Sequence, residues 1–515
     1  MKQTSPLSLG IISGERILGA ASLREQVLRA AAGFTALGVE RGDCIALLLR
    51  NDFPFLVASF AAARIGAYAV PINWHSAPEE VEYILQDCSA KILVAHADLL
   101  VRVAAIVPPA MPLLAVEIPP EIRSAYRIDT AAAHILATAT VWNEWLLRQD
   151  EWNGTPVPMT HSMFYTSGTT GHPKAVRRDP TTTQQERMID DMRSAIFGIR
   201  PGTRVLMPGP LYHAAPNAFG LRAARQADML VLMPRFNPEE FLRLVAQHRI
   251  TTVFMVPIMF VRLLQLPQAA RQRYDLSSLE FIIHAGAPCP HQVKLAMIEW
   301  WGPILNEYYG GTESGPVTFS SSAEYLAHPG SVGKCMPGTR VRIYDDDGRM
   351  LPPGEAGEIF MRVDFYPDFT YHRQSDKRRE IERDGLISCG DVGYLDDEGY
   401  LFICDRKRDM VISGGVNIYP AEIEAVLQHL AGVRDCAVFG IPDPEFGEAL
   451  MAVVEPQEHH TLSVDAIQVH LRLHLAGYKV PRNIEVRRDL PREDSGKIFK
   501  RRLRAPYWEN TGRSI

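Results

Sequence analysis

The chain has 515 residues and a mass of 57.5 kDa, which is long enough for more than one domain and for a large buried core. Hydrophobic residues make up 46% and charged residues 22%, an ordinary globular composition that argues against disorder, collagen and coiled coil. The formal net charge of −6 leaves no basic excess to neutralise phosphates, which argues against a general nucleic-acid or anionic-membrane binder.

The cysteines are scattered, odd in number and form no CxxC pair, so neither a disulfide framework nor a structural zinc site is predicted. They are Cys44, Cys88, Cys289, Cys335, Cys389, Cys404 and Cys436. A reducing compartment, the cytoplasm, fits this pattern best. The first residues lack the apolar stretch of a signal peptide. No run reaches the ~18 apolar residues of a membrane span, and the most apolar stretch, 55–72, predicts a buried core helix.

The first part of the chain alternates helical and strand patterns of apolar residues. Helices are predicted over 23–37, 54–65, 78–87 and 238–248. Strands are predicted over 44–49, 68–71, 90–95, 204–207, 229–233, 252–256 and 281–284. Such alternation is typical of a largely parallel α/β sheet covered by helices.

From about residue 331 the pattern changes to short strands, predicted over 341–345, 358–363, 392–395 and 400–404 and joined by Gly-containing turns. This predicts a β-rich subdomain. A domain boundary is predicted near 405, which gives a large domain over 1–405 and a small α+β domain over 406–515. Within the small domain, helices are predicted over 420–430 and 464–475 and strands over 435–439 and 450–454, whereas 505–515 shows no periodicity.

Residues 165–174, Tyr-Thr-Ser-Gly-Thr-Thr-Gly-His-Pro-Lys, form the strongest local signal. Glycines let the backbone fold around an anion, hydroxyls add donors, and Lys174 adds positive charge. The spacing differs from GxxxxGK[ST], so a helix-starting nucleotide loop of that class is not predicted. By composition alone, a polar surface turn explains the segment about as well.

Four further segments carry residue types suited to nucleotide chemistry. The segment 306–315 contains two such residues, the aromatic Tyr309 and Glu313, which is a hard oxygen ligand. Asp391, at a predicted strand start and followed by Arg406, can accept hydrogen bonds from two ribose hydroxyls. The other two segments are 405–420 and 491–500, and the latter contains Lys497 after a Ser-Gly pair. Each alone fits a turn or a solvated surface, but five such segments in this order are hard to obtain by chance.

With these motifs the chain resembles the acyl-adenylate-forming superfamily, which holds acyl- and aryl-CoA ligases, adenylation domains of peptide synthetases and beetle luciferases. The resemblance covers nearly the whole chain and is nearest to the acid–CoA ligases. It implies an α/β fold, with a large N-terminal domain of layered sheets and helices and a small mobile α+β C-terminal domain. It also implies ATP, Mg²⁺, coenzyme A and a small-molecule carboxylic acid as ligands.

The resemblance assigns roles residue by residue. The phosphate loop is Thr166, Ser167, Gly168, Thr169, Thr170, Gly171 and Lys174. The adenine side is Tyr309 as the stacking ring with Glu307, Tyr308, Ala285, Gly286 and Ala287, and the ribose pair is Asp391 and Arg406. Thr312 matches a phosphate contact, Glu313 the Mg²⁺ ligand, and Lys497 the catalytic lysine. Arg408 falls at the hinge, and Ser413, Gly414 and Gly415 match the loop near the thiol.

The implied reaction has two halves. The carboxylate attacks the α-phosphorus of ATP and pyrophosphate leaves; the thiol of CoA then attacks the acyl carbon and AMP leaves. Positioning and charge neutralisation suffice for the first half, and no covalent protein nucleophile is required. Lys497 would draw the two anions together, and rotation about Arg408 would then exchange Lys497 for the Ser413–Gly415 loop.

The resemblance also implies an apolar acyl pocket. Its predicted residues are His213, Ala215, Phe219, Val256, Gly310, Gly311, Val332 and Gly333. No Asp or Arg stands among them for an amino-acid ammonium or a second carboxylate. The predicted activity is an ATP-dependent acid–CoA ligase for an apolar monocarboxylic acid, with aryl or arylalkyl acids ahead of medium-chain or branched fatty acids.

Three alternatives stay open from the sequence: a fatty acyl-CoA synthetase, a stand-alone adenylating enzyme that loads a carrier protein, and a catalytically silent ligand-binding or scaffolding member. Retention of Lys174, Glu313 and Lys497 argues against the last. A luciferase-like activity is a remote option. The chain is expected to bind no nucleic acid and to have no integral membrane segment, and both a monomer and a homodimer are compatible with the sequence.

Overall fold

Helices and strands alternate from the start of the chain, as shown by a computed structural model that describes residues 7–129, 134–155, 157–166, 173–407, 409–413, 416–444, 446–492 and 498–509. The helices are α1 Ala20–Ala36, α2 Phe53–Arg64, α3 Pro78–Asp87, α4 Ala97–Val103, α5 Pro120–Tyr126, α6 Trp142–Leu147, α7 Thr183–Phe197, α8 Ala214–Gln226, α9 Pro238–His248, α10 Pro257–Leu264, α11 Gln268–Gln272, α12 His291–Trp301, α13 Ser322–Ala327, α14 Ser375–Glu380, α15 Pro420–Gln428, α16 Val464–His474 and α17 Lys500–Trp508.

The strands divide between a first part of the chain rich in helices and a later part rich in strands. They are β1 Gly10–Ser13, β2 Arg16–Leu18, β3 Cys44–Leu48, β4 Tyr68–Pro71, β5 Ile92–His96, β6 Leu113–Val116, β7 Thr140–Val141, β8 Phe164–Thr166, β9 Lys174–Arg178, β10 Arg204–Met207, β11 Met229–Leu232, β12 Thr252–Met255, β13 Phe281–His284, β14 Leu305–Gly311, β15 Gly315–Ser320, β16 Ser331–Cys335, β17 Thr339–Tyr344, β18 Gly357–Val363, β19 Phe369–Tyr371, β20 Glu382–Arg383, β21 Leu386–Leu395, β22 Tyr400–Arg406, β23 Val411–Ser413, β24 Val416–Ile418, β25 Val433–Asp443, β26 Gly447–Pro456 and β27 Asn483–Val486.

Internal contacts divide the chain into two compact units. The first unit comprises Met1–Ala323 and Val363–Ile381, and the second comprises Glu324–Arg362 and Glu382–Ile515. The β-rich segment that follows residue 324 therefore belongs to the second unit. The sequence predicts a large domain over 1–405 and a small mobile domain over 406–515. That division is based on the expected movement of the small domain, and it stays a prediction.

The first unit contains two mainly parallel sheets. In one, the strands follow the order β4-β3-β5-β6-β7, and every neighbouring pair is parallel. In the other, β14, β13, β12, β10, β11 and β1 run parallel in that order, with β15 and β2 antiparallel at the two ends of the run. A small antiparallel sheet has the order β19-β9-β8. Parallel strands whose residues are buried on both faces require helices above and below.

The second unit is built mainly from antiparallel strands. One sheet carries β17, β18, β21, β22 and β16, and another carries β24, β23, β26 and β25, with β27 parallel to β26. Helices α15 and α16 cover the second sheet through Ile423, Leu427, Ile467 and Leu471, all of which are fully buried. This arrangement matches the predicted β-rich subdomain followed by an α+β module.

The predicted elements agree closely with the structure. The helices predicted over 78–87 and 238–248 are α3 and α9, and the strands over 68–71, 204–207 and 281–284 are β4, β10 and β13. The apolar stretch predicted as a core helix overlaps most of α2, which is buried on nearly all sides. Among the helices that the structure describes, none combines the length and the apolar character that a membrane crossing requires.

One expectation about local structure was wrong, and one helix extends into a stretch where the sequence pattern predicted nothing. The residues from 505 lack apolar periodicity, yet α17 continues to Trp508, whose indole Nε1 donates to Gly440 O at 3.0 Å. Leu503 and Trp508 are both buried in this helix, which is therefore held without a repeating apolar stripe. Asp391 was expected at a strand start, but it lies inside β21, next to an irregularity in the pairing of β21 with β22.

Asp52 links the N-terminal hairpin to the first parallel sheet. Its Oδ1 accepts from Arg16 Nη2 at 2.6 Å and from Phe53 N at 2.8 Å, which caps α2, and its Oδ2 lies 3.2 Å from His96 Nε2. Burial alone raises the pKa of Asp52, but the hydrogen bonds and charges of His96 and Arg16 outweigh it and hold that pKa below its usual range.

We expect Asp52→Asn to lower the free energy of unfolding by about 3 kcal/mol at pH 7, because it removes the charge from a buried ion pair while keeping a capping side chain. A depressed carboxyl pKa stabilises the fold above the unfolded-state pKa of about 4 and loses that stabilisation as the pH falls. Urea unfolding at several pH values should therefore show the difference shrinking below about pH 4. Asp150→Asn, at an exposed carboxylate, is the control, and equal effects of the two variants would contradict the assignment.

Candidate active site

The carboxyl ends of four neighbouring parallel strands lie at one edge of the first unit's larger sheet. β10, β12, β13 and β14 are in parallel register through pairs such as Leu206↔Val253, Val253↔Ile282 and Ile282↔Leu305. The segments that follow them are 208–213, 256–257, 285–287 and 312–314, which hold or adjoin most of the residues predicted for the acyl and adenine sides. In open α/β sheets, ligands bind outside the carboxyl ends of the strands.

The flanks of the predicted phosphate loop form the antiparallel strands β8 and β9. Thr166 pairs directly with Lys174, so the two residues that flank the loop are adjacent. Ser167, Gly168, Thr169, Thr170 and Gly171 lie outside the described residues. β19 adds to the other side of β9, with Tyr371 opposite Val176.

The carboxylate of Glu313, in the segment 306–315, contacts this small sheet. Its Oε1 accepts from Thr166 Oγ1 at 3.3 Å and from the Tyr371 hydroxyl at 3.1 Å. The ring of Tyr371 also lies 5.1 Å from Lys174 Nζ, in a cation–π contact. Two motifs that the sequence separates are thus brought together, through a tyrosine that the sequence did not single out.

Lys174 retains its charge for a ligand. Within the described part of the chain it forms no ion pair at hydrogen-bonding distance, and its ammonium faces a ring rather than a carboxylate. Partial burial, together with the charge of Lys377, lowers the pKa of Lys174. An anion bound nearby would oppose both effects, as expected at a phosphate site.

The hairpin formed by β14 and β15 needs a glycine where its strands approach most closely. A Cβ on Gly310 would lie 2.1 Å from Gly315 O, and the pairing shifts between Tyr309 and Gly310. At the tip, Gly311 N donates to Ser314 Oγ at 2.9 Å, and Thr312 and Glu313 are half-buried. Gly310, predicted for the acyl pocket, is thus required by the backbone itself.

Glu307 lies in the interior of the first unit. The residue is 6% exposed, and its Oε2 accepts from Lys294 Nζ at 2.7 Å. His284 is fully buried beside this pair, with Nε2 at 3.8 Å from the same oxygen, and burial lowers the pKa of His284 to about 4. The imidazole is therefore neutral near pH 7, and the carboxylate is balanced by a lysine that the sequence did not single out.

Tyr308 points to the opposite face of β14 from Glu307, because side chains alternate along a strand. Its ring lies 6.2 Å from that of Phe197 and 6.4 Å from that of Phe254, and Phe219 lies 5.5 Å from Phe197 and 5.7 Å from Phe254. We call Phe197, Phe219, Phe254 and Tyr308 the ring cluster. Tyr308, predicted beside adenine, thus shares two ring neighbours, Phe197 and Phe254, with Phe219, which was predicted for the acyl pocket. Tyr309 is half-exposed.

Asn51 fixes the segment that leads to His213. Its Nδ2 donates to Gly209 O at 2.8 Å and to Met233 O at 3.1 Å, while its Oδ1 accepts from Leu211 N at 2.9 Å. Asn217 Nδ2 then donates to Leu211 O at 2.9 Å. His213 and Ala215, at the start of α8, are half-buried, and Val256 follows β12.

After β13, Ala285 is buried, Ala287 is half-buried and Gly286 is exposed with a φ of 85°. This left-handed conformation favours glycine, so the residue type is set by the turn that leaves the strand.

The second unit carries the predicted ribose pair. Asp391 and Arg406 are opposite each other on β21 and β22, and Arg406 Nε lies 3.2 Å from Asp391 Oδ1. Asp391 is nearly buried, whereas Arg406 is exposed. In the same unit, Val332 is half-buried on β16 and Gly333 N donates to Ser331 Oγ at 2.8 Å. Ser413 ends β23 and pairs with Gly447.

Besides the five residues of the phosphate loop, four more predicted residues lie outside the described residues, namely Arg408, Gly414, Gly415 and Lys497. The described residues on either side of 493–497 make their own contacts. Arg492 pairs with Ile498 in a β-bridge and forms ion pairs with Asp435 and Glu455. Lys500 Nζ lies 2.7 Å from Glu424 Oε1.

The residues missed by sequence reasoning are Asn51, Lys294 and Tyr371, together with Arg178, which lies under the tip of the β14–β15 hairpin. None belongs to a local motif, and each acts through a partner distant in the chain. For Arg178, the signal available in the sequence was its place at the end of a short strand-like stretch, two residues after Lys174-Ala-Val.

Comparisons with known proteins identify the class of protein that this fold and these motifs belong to. Residues 9–365 match the family of AMP-binding enzymes, and residues 422–497 match the C-terminal domain of AMP-binding enzymes. The chain therefore belongs to the AMP-binding enzyme family, as predicted.

Individual relatives cover the whole chain. It is 33% identical over 518 residues to feruloyl-CoA synthase of an Amycolatopsis species, covering 98% of this chain and 96% of that one. It is 33% identical over 483 residues to the long-chain-fatty-acid–CoA ligase FadD13 of Mycobacterium tuberculosis, covering 93% and 91%. ATP-bound MatB of Rhodopseudomonas palustris has a similar structure, with a TM-score of 0.83, 25% identity, and 100% and 98% covered. The predicted fold class and the predicted class of enzyme, an acid–CoA ligase, are confirmed.

We expect Lys294→Met to lower the free energy of unfolding by about 3 kcal/mol, because it leaves the buried Glu307 carboxylate without its cation. Lys294→Met/Glu307→Leu should recover most of this loss, since both charges are then absent. Urea unfolding, monitored by circular dichroism, measures the free energy of unfolding of the single and the double variant. Lys91→Met, at an exposed lysine, is the control. Equal destabilisation by the single and double variants would show that the unpaired carboxylate is not the cause.

Proposed function

We propose that this protein is an ATP-dependent acid–CoA ligase that converts an aryl or arylalkyl carboxylic acid to its acyl-AMP and then to its CoA thioester. The observation that carries the proposal is the convergence on Glu313. Thr166, at the mouth of the phosphate loop, and Tyr371, whose ring contacts Lys174, both donate to one oxygen of that carboxylate. Lys174, a cation suited to phosphates, and Glu313, a ligand suited to a divalent metal, therefore lie in one small cluster.

The oxygen donors at this cluster suit Mg²⁺. Glu313 supplies a carboxylate and Thr166 a hydroxyl, and the described residues contain no group of three or more His, Cys, Asp or Glu that could hold a metal by itself. Mg²⁺ commonly binds through one or two carboxylates, substrate phosphates and water. When bound to Glu313, the ion would neutralise charge on the phosphates of ATP.

In the first half-reaction, the chain's own residues bind and orient the two anions. Lys174 and Thr312 are proposed to contact the phosphates, Tyr309 to stack on adenine, and Asp391 with Arg406 to hold the ribose hydroxyls. Lys497 is proposed to contact both the substrate carboxylate and the α-phosphate, so that the carboxylate oxygen attacks phosphorus as pyrophosphate leaves. Holding reactants in this way reduces the entropic part of the barrier.

In the second half-reaction, the CoA thiolate attacks the acyl carbon and AMP leaves. Ser413, Gly414 and Gly415 are proposed to line the thiol's approach. Rotation about Arg408, which would exchange this loop for Lys497, stays a prediction.

The ring cluster supports a flat, short substrate. Phe219 and Phe254 are 0% and 1% exposed, with Phe197 in ring contact with Phe219 and Tyr308 in ring contact with Phe254, so aromatic rings fill this apolar region. A long alkyl chain would need to displace these rings, whereas an aryl acid can lie against small residues such as Ala215 and Gly311. The likeness to feruloyl-CoA synthase supports the same class; the likeness to a fatty acid ligase supports the alternative.

We also propose a cytoplasmic location. The buried cysteines Cys44 and Cys88 are close enough for their side chains to interact, and both are free thiols. Such a pair is compatible with a reducing compartment.

Pyrophosphate release with ATP and Mg²⁺ across benzoate, phenylacetate, cinnamate, 4-coumarate, branched acids and C6–C16 fatty acids tests the proposal. We expect an aryl acid to support pyrophosphate release. Without CoA the release should stop after a single turnover, and with CoA it should continue over many turnovers. Lys497→Ala should lower adenylation by orders of magnitude but leave thioester formation from preformed acyl-AMP intact. Activity confined to fatty acids would overturn the substrate class, and a single turnover unchanged by CoA would indicate a carrier-protein acceptor. Equal loss of both half-reactions would refute the role of Lys497.

We expect Phe219→Leu to raise kcat/KM for C8 acids relative to cinnamate several-fold, because a smaller side chain opens the ring cluster. Phe241→Leu is the matched control, since Phe241 is equally buried in the core on the other side of the sheet. Both substitutions cost stability to a similar extent. An identical change in selectivity in both variants would mean that the ring cluster does not limit chain length.

A further inference from the structure

Arg178, the last residue of β9, lies under the tip of the β14–β15 hairpin. Its Nη2 donates to Thr312 O at 2.8 Å and to Glu313 O at 2.5 Å, and its Nη1 donates to Pro367 O at 3.1 Å. One guanidinium therefore ties three backbone carbonyls together. Two of these belong to the residues proposed to contact phosphate and Mg²⁺.

The guanidinium is held in place by aromatic rings. It lies 5.2 Å from the ring centre of Tyr366 and 5.7 Å from that of Phe369. Phe369 is directly opposite Arg178 in the pairing of β19 with β9. Carbonyl dipoles and ring faces contact the guanidinium directly, and the charges of Glu313 and Asp368 add to the stabilisation of its positive charge.

The same small sheet thus holds Glu313 at two points. Arg178 fixes the backbone of Thr312 and Glu313, while Thr166 and Tyr371 fix the Glu313 carboxylate. Without Arg178, the hairpin tip would retain the Gly311–Ser314 hydrogen bond but lose its attachment to the strand that begins at Lys174. The distance between the phosphate-binding lysine and the metal-binding carboxylate would then no longer be fixed.

We propose that Arg178 is a positioning residue for adenylation, which sets the orientation of Thr312 and Glu313 relative to Lys174. This inference rests on the proposed function. A lysine cannot replace it, because an ammonium is a single point whereas the planar guanidinium presents donors in a fixed fork that reaches several carbonyls at once.

The adjacent Arg177 offers a matched control. It lies on the same strand, but its Nη2 donates to Gly42 O at 3.2 Å and its guanidinium lies 4.6 Å from the ring centre of Tyr68. Arg177 therefore also makes a carbonyl contact and a ring contact, but none to Thr312 or Glu313. Arg177→Lys reports what an arginine-to-lysine change on β9 does to the fold alone.

The test compares Arg178→Lys, Arg177→Lys and Glu313→Gln in the full-length protein. We expect Arg178→Lys to lower kcat for pyrophosphate release about tenfold to a hundredfold, with the KM for the carboxylic acid changed less than about threefold. In the protein without ligands, backbone amide exchange across 311–316 should be faster than in the wild type. Arg177→Lys should change neither quantity. The amide exchange measurement does not depend on catalysis.

Unchanged kcat and unchanged amide exchange in Arg178→Lys, or equal effects in Arg177→Lys, would overturn the inference. If Glu313→Gln leaves pyrophosphate release and its Mg²⁺ dependence intact, the proposed role of Glu313 fails, whatever Arg178→Lys does to amide exchange. Should Arg178→Lys not fold, Arg178→Gln keeps a planar amide donor for one carbonyl, and the same two measurements apply to it with the same expected directions.

Discussion

The parallel hydrogen bonding of β10, β12, β13 and β14 is the constraint on which the first unit depends. Parallel strands need crossover connections, and the connecting helices bury both faces of the sheet. The backbone segments that leave the strands can therefore present polar groups only at the edge where the strands end. That edge receives the segments after all four strands, so residues far apart in the chain gather there without any local signal between them.

The polar groups at that edge are held by contacts from a separate small sheet. β9 contributes Lys174 at one end and Arg178 at the other, and β19 contributes Tyr371. Lys174 and Arg178 are the cations that β9 contributes beside Glu313, and cations at this edge favour a polyphosphate over a neutral ligand. The rigidity of the site comes from hydrogen bonds to backbone carbonyls and to Glu313. Substituting Arg178 or Tyr371 would therefore change the geometry of the site, and not the charged groups that contact the substrate.

Strand alternation explains why neighbouring residues of one motif have different surroundings. Glu307 and Tyr308 are adjacent in the sequence, but their side chains enter opposite layers of the first unit, one beside Lys294 and the other in the ring cluster. Only Tyr309 and the hairpin tip remain partly open. A motif read along the sequence groups these residues as nucleotide neighbours, whereas the sheet divides them between an internal ion pair, an apolar wall and the edge.

The sequence by itself determined the family, the α/β character of the first part of the chain, the change to β-rich structure near residue 331 and the position of most helices and strands. These properties follow from apolar periodicity and from short motifs, both of which are local. It also predicted that Asp391 and Arg406 act together, and the strand pairing brings them into contact. Only the tertiary structure decided which distant side chains support the motifs. Arg178, Tyr371 and Lys294 have no periodic or motif signature, because their roles depend on partners more than ten residues away, whose approach is set by how the strands pair and the helices pack.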